Sequence, residues 1–122
     1  MNERGAGSVL AIGAMAVVTF VAVAVLITAQ IVIARATATA AADAAALAAA
    51  PMTFPPVAGG RSPIEAASTL AEANGARLVS CACLLVGTFE PRHVEVTVAV
   101  SVDLPILGER WVHASSAAEF VP

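Results

Sequence analysis

The sequence contains no lysine and no tyrosine, and its only basic side chains are six arginines. These arginines are scattered along the chain, so no basic stripe of the kind that binds nucleic acid is present. Charged residues make up only 12% of the chain, whereas hydrophobic residues make up 59%. Because about a quarter of the residues in a typical soluble domain are charged, the composition excludes an ordinary soluble protein.

The motifs of common catalytic sites are also missing. The chain has no G-x-S-x-G nucleophile turn, no glycine-rich phosphate loop and no H-E-x-x-H metal motif. The glutamates of the C-terminal third are widely spaced, which predicts solvated surface positions for Glu90, Glu95, Glu109 and Glu119. We therefore expect a protein that is not an enzyme and that uses no cofactor, metal or small-molecule substrate.

One long segment has no charge at all. From Gly5 to Ala34 there are thirty consecutive residues without Asp, Glu, Lys or Arg. As an α-helix this segment would be about 45 Å long, which exceeds the hydrocarbon thickness of about 30 Å. The sequence therefore predicts a transmembrane helix over residues 6–34, preceded by a short cytoplasmic leader at residues 1–5.

The fate and orientation of this segment admit alternatives. We expect a retained anchor, but a prepilin-type anchor cut between Gly5 and Ala6 and a cleaved secretory signal both remain open. Arg4 and Arg35 flank the segment on opposite sides, so the distribution of positive charge gives little guidance. Because the leader is so short, we expect a single-pass protein of the cell membrane with its C-terminal domain outside the cytoplasm.

An alanine-rich stretch, residues 35–50, follows the apolar segment directly. Alanine has the highest helix propensity, and no glycine or proline interrupts the stretch, so the helix should continue through it. Arg35 and Thr39 begin a stripe with a spacing of four residues. The extension is interpreted either as a stalk for the domain or as a surface that packs against helices of other subunits, formed by Ala41, Asp43, Ala45 and Leu47.

The rest of the chain predicts a small α+β domain over residues 62–122, after a linker rich in proline and glycine at residues 51–61. Ser62 is a suitable N-cap and Pro63 fits the first helical position. Asn74 and Gly75 are typical of a helix C-terminus. We therefore expect one helix between Ser62 and Asn74.

Two or three antiparallel strands should follow this helix. The stretch "RLVSCACLLV" reads as the first strand, and "HVEVTVAVSVD" alternates valine with polar residues, as a half-buried strand does. The stretch "WVHASSAAEF" is a third strand, although its alanines and serines are equally compatible with a helix. Trp111, the only tryptophan, is expected in the core, with a contact anchor at the surface as the alternative.

Cys81 and Cys83 are the only cysteines and form a C-x-C pair. They are interpreted as two buried thiols, or as a disulfide within the chain or between protomers. With His93 and His113 they could also form a Cys₂His₂ zinc site, but such sites usually place two to four residues between the thiols. We therefore assign no metal to this pair.

The order of these segments resembles the TadE/TadG-like proteins of tight-adherence (Flp-type) pilus and secretion systems. The features that resemble the family are "RGAGSVLAIGAMAVV", the apolar helix, "AADAAALAAA", and "ANGARLVSC" followed by a valine-rich strand. The chain is most similar to the short actinobacterial helicase/secretion-neighbourhood TadE-like proteins. Pilin-like relatives carry a glutamate five residues after the processing site, whereas Leu10 occupies that position here.

The resemblance implies a pilin-like layout and a minor pilin- or pseudopilin-like role in assembling a Tad/Flp-type apparatus. The expected partners are the membrane and other subunits of the apparatus, with self-association through the N-terminal helix as an option. The alternative is a membrane-anchored or secreted extracytoplasmic binding module without a pilus role.

If the apolar segment is a retained anchor, the mature protein keeps its original N-terminal residues. The protein extracted from membranes should still carry Arg4 and Gly5, as determined by intact-mass and N-terminal peptide spectrometry. A mature chain that begins at Ala6 would instead establish prepilin-type processing in spite of Leu10. A chain that begins after Ala36 would establish a cleaved signal.

Overall fold

A computed structural model describes residues 4–122, and its first element is a single helix, α1, over Arg4–Met52. Most of the predicted leader, residues 1–5, lies outside the described residues. The apolar segment and the alanine-rich stretch form one uninterrupted helix because no helix-breaking residue lies at their junction. Pro51 lies in the last turn, where Thr53 donates a hydrogen bond from Oγ1 to the Ala50 carbonyl at 2.7 Å and ends the helix.

The segment predicted as a linker is an ordered junction. It contains a short helix, α2 (Pro55–Ala58), that turns through Gly59 at a φ of 58°. Phe54 and Ala58 are buried, with 6% and 2% of their surface exposed. The proline and glycine content of residues 51–61 therefore produces a tight corner instead of a flexible connection.

The predicted capped helix is present as α3 (Pro63–Ala73). Pro63 occupies its first position, although the Ser62 side chain makes no capping hydrogen bond. At the other end the Gly75 amide donates to the Glu72 carbonyl at 3.0 Å, and the Ala76 amide donates to the Ala71 carbonyl at 2.9 Å. These two hydrogen bonds form a Schellman cap, which requires the positive φ of 76° that Gly75 adopts.

Three antiparallel strands complete the domain in the order β1-β2-β3: β1 (Arg77–Ala82), β2 (Arg92–Leu104) and β3 (Gly108–Phe120). The α+β fold class is thereby confirmed, and the third stretch is a strand. The first strand is shorter than predicted because the chain leaves β2 after Ala82 and the Val86 amide donates to the Thr53 carbonyl instead, at 3.1 Å. A bulge between Leu78 and Ser80 also interrupts its register.

The core of the domain is the contact of α1 with the sheet and with α3. One face of α1 contributes only alanines, and the inward face of β2 contributes valines, with Ala67 and Ala71 of α3 closing the side. The alanines of α1 are nearly or completely buried: Ala34, Ala38, Ala41, Ala42, Ala45, Ala46, Ala49 and Ala50. Alanine lets backbones approach closely, so the valines fill the space against the helix without larger side chains.

This packing corrects two expectations. The alanine-rich stretch is neither a stalk nor a separate extension, because residues 34–50 are a core element of the domain itself. Ala41 and Ala45 are completely buried within their own chain, so the prediction that they contact helices of other subunits is wrong. Asp43 and Leu47, the other two residues of the predicted surface, are exposed.

The close contact makes the alanine face sensitive to added volume. Replacing Ala45 by Leu should lower the free energy of unfolding by about 1–3 kcal/mol, since extra methylenes in a filled core displace their neighbours. The same change at Ala40, which is exposed, should leave stability almost unchanged. Denaturant unfolding in detergent micelles, followed through the sheet's circular dichroism, measures both variants. Equal stability of the two would show that the sheet does not pack on this face.

Candidate functional site

The N-terminal part of α1 projects from the domain, and most of its side chains are exposed. One helix among the described residues, Gly5–Met52, is long and apolar enough to cross a membrane, and none of its most apolar 18-residue window is buried. Large side chains along it are highly exposed, including Leu10 at 77% and Phe20 at 76%. This surface covers about two thirds of the helix and is the first candidate contact surface.

The few hydroxyl groups of this projecting part are already hydrogen-bonded to the helix. Ser8 donates to the Gly5 carbonyl at 3.0 Å, Thr19 to the Met15 carbonyl at 2.9 Å, and Thr28 to the Ala24 carbonyl at 2.8 Å. An unsatisfied polar group in hydrocarbon costs several kcal/mol. With these bonds made, the surface of the segment up to Thr28 is compatible with lipid or with apolar helices, whereas the buried Oε1 of Gln30, close to the domain, has no hydrogen-bond partner among the described residues.

Small residues make part of the projecting helix suitable for close helix contacts. Gly7 and Ala11 lie four residues apart, and a methyl group built at Gly7 would meet nothing within 4 Å. Such small-xxx-small pairs allow two helices to approach closely in lipid. Gly5 and Ala6, the candidate processing positions, lie in the first turns of the same helix and are exposed.

A second candidate surface is the outward side of α1 next to the domain. We call it the outer stripe, and it consists of Arg35, Thr39, Asp43 and Leu47, all of them exposed. Leu47 is 69% exposed although it is surrounded by buried alanines on the same helix. Because the sheet and α3 cover the alanine face, this stripe is the side of residues 34–50 that remains open to another molecule.

The two cysteines are joined as a disulfide, with their Cα atoms 5.3 Å apart. Both are half-buried against the core, and Cys81 pairs with Val96 on the inward face of the sheet. His93 and His113 alternate with the valines and are exposed on the other face. The structure therefore does not bring the four candidate zinc ligands together.

Trp111 lies on the outer face of the sheet, which corrects the expectation that it belongs to the core. It is 46% exposed, and the Arg77 guanidinium lies over its ring, 4.5 Å from the centroid. Beneath them Ala99 is only 2% exposed. An exposed tryptophan paired with an arginine is typical of a contact site at the surface, since aromatic and arginine side chains dominate the energetics of protein interfaces.

Arg92, a residue that the sequence reasoning missed, holds the corner between α1 and the sheet. Its guanidinium donates to the carbonyls of Thr53 (3.1 Å), Val86, Thr88 and Glu90 (3.4 Å). Four carbonyl dipoles surround its charge, and together they fix the loop of residues 83–91 against the end of α1.

The Phe54 ring covers one side of this arginine, at 5.2 Å from the guanidinium carbon. Phe54 also meets Phe89 edge-on, with ring centroids 5.3 Å apart, and lies 6.4 Å from the Phe120 ring. The aromatic group and Arg92 thus replace a conventional core at this end of the domain. A lone arginine at the start of a strand carries no sequence signal for this arrangement.

Comparisons with protein-family models, with curated proteins and with solved structures find no match for this chain. Function is therefore inferred from the geometry of the projecting helix, the outer stripe and the sheet.

Arg92 should be required for the order of the 83–91 loop. Replacing it by Met keeps the aliphatic stem but removes hydrogen bonds to a charged group, which contribute about 1.5–3 kcal/mol each. We expect faster hydrogen exchange at the Val86 amide, measured by mass spectrometry of loop peptides. Arg61→Met, which changes an exposed arginine of the same corner, is the control and should leave this exchange rate unchanged. Unaltered exchange in Arg92→Met would contradict the assignment.

Proposed function

We propose that the protein is a single-pass membrane component of a Tad/Flp-type pilus or secretion apparatus, with a minor pilin- or pseudopilin-like role. It works by binding, through lateral packing of its N-terminal helix and docking of its domain on other subunits. The observation that carries the proposal is the division of α1 into a bare apolar part and a part that is the core of its own domain. This division supports the proposal because it agrees with the layout that the sequence resemblance implies.

The continuity of α1 gives the proposal a physical mechanism. Because residues 34–50 pack on the sheet, any contact that orients the projecting part of the helix also orients the domain. Helices that pack side by side in the membrane would therefore place their domains at defined positions outside it. A chain with a flexible linker between anchor and domain could not transmit position in this way.

One feature supports an extracytoplasmic location for the domain, with the N-terminus of α1 in the cytoplasm. The Cys81–Cys83 disulfide is typical of an oxidising compartment, since cytosolic thiols are kept reduced. In this orientation the outer stripe lies just above the membrane surface, where neighbouring subunits of an assembly would meet.

A second candidate function is an extracytoplasmic binding module that is anchored in the membrane and has no role in a pilus. The observation that favours it is the exposed Trp111–Arg77 pair on the outer face of the sheet. In this alternative the helix serves as an anchor only, and the sheet binds a ligand of the cell envelope.

Isolation of the tagged protein from native membranes tests the assembly proposal. Leu47→Arg should reduce the recovery of partner proteins identified by mass spectrometry, because it places a bulky charge in the outer stripe. Ile64→Arg is the matched control, since Ile64 is 53% exposed on α3 and outside the stripe. Both changes affect exposed residues, so domain stability should be retained.

Three outcomes distinguish the two functions. Partner proteins that include secretion-system subunits, and that are lost only in Leu47→Arg, support the proposal. Equal recovery of partners with both variants would show that the outer stripe is not part of the assembly surface. Isolation without any partner protein, together with binding to envelope material that is lost in Trp111→Ala, favours the binding module.

A further inference from the structure

The hairpin between β2 and β3 ends in an unusually apolar tip, Leu104–Leu107. Ile106 is 90% exposed and Leu107 is 50% exposed. Ile106 also adopts a φ of 73°, a conformation that is rare for a β-branched residue. A turn in water would ordinarily place glycine or asparagine at such a position, so the isoleucine indicates a requirement for an apolar side chain.

The tip lies beside the uncharged part of α1. A groove between the two is lined by Thr19, Phe20, Val23 and Ile27 of the helix together with Ile106 and Leu107 of the tip. Ile27 is eight residues before Arg35, a distance of about 12 Å along a helix. The hairpin thus extends past the charged end of the apolar segment, to a level at which the helix presents only uncharged side chains.

The charges of the hairpin are placed where an inserted tip would need them. Asp103 and Glu109 oppose each other one residue pair away from the closing pair Leu104–Gly108, and Arg110 follows. The turn itself carries no charge. Apolar faces of interfacial elements reach about 5–10 Å into the boundary between headgroups and acyl chains. The tip can reach this depth while the three charged side chains remain among the headgroups.

We propose that the hairpin tip inserts into the outer leaflet of the membrane and that a lipid acyl chain occupies the groove between the tip and α1. This inference rests on the membrane anchor of the proposed function. We assign the groove to a lipid chain because the groove is continuous with the exposed apolar surface of the helix. The domain would then be held to the membrane at two points, the helix and the tip, and could not rotate freely above it.

Depth-dependent quenching of tryptophan by brominated phospholipids tests the inference. Trp111 is the only native tryptophan, so Trp111→Phe provides a silent background in which single tryptophans can be introduced. Ile106→Trp reports on the tip. Phe20→Trp reports on the anchor, and Ala117→Trp reports on an exposed position of β3 far from the tip. The full-length variants are placed in phosphatidylcholine vesicles with and without brominated acyl chains.

Insertion predicts strong quenching and a blue-shifted emission for Ile106→Trp, comparable to those of Phe20→Trp, with no quenching of Ala117→Trp. If only Phe20→Trp is quenched, the tip remains in water and the inference is overturned while the anchor stands. A blue shift of Ile106→Trp without quenching would show that another protein chain covers the tip, which also overturns it. If no variant is quenched, the membrane anchor of the proposed function fails as well.

Discussion

The contact between the alanine face of α1 and the valine face of β2 determines the architecture of the molecule. Methyl groups on the helix allow the sheet to approach closely, and Val94, Val96 and Val98 fill the contact with branched side chains that are completely buried. α3 contributes further alanines to the same cluster. Because most side chains in this contact are alanine and valine, with Leu78 and Phe120 packed at its margin, its stability comes from many short-range contacts between small groups, each sensitive to changes in volume.

The same contact makes the helix and the domain mechanically continuous. Between Gly13 and Pro51 no glycine or proline interrupts α1. Bending the helix there would break backbone hydrogen bonds without forming new ones, which is unfavourable. The corner after the helix is equally fixed, by Arg92 and the Phe54 ring. Any force or contact on the projecting part of the helix is therefore transmitted to the sheet.

The parts of this structure that the sequence predicts are those with local signals. Strict alternation specifies β2, the Ser62-Pro63 start and the Asn74-Gly75 end specify α3, and alanine propensity specifies the length of α1. The side of α1 that the sheet would cover was not predictable, because a helix that is nearly all alanine has no apolar face distinct from the rest. Arg92 was missed for a related reason, since its partners are carbonyl groups, which no side-chain pattern reveals.

The distribution of side-chain size is the reverse of that in a soluble domain. Apart from Phe54 and Leu104, the interior holds mainly alanine and valine, whereas many large apolar side chains lie outside: Leu47 on the outer stripe, Leu84 and Phe89 on the 83–91 loop, and Ile106 at the hairpin tip. Exposed apolar patches mediate contacts with proteins or membranes when they are large enough. Since a core of small residues needs no further apolar groups, the large ones are available for binding. The fold thus uses its smallest side chains in the core and leaves many of its largest ones exposed.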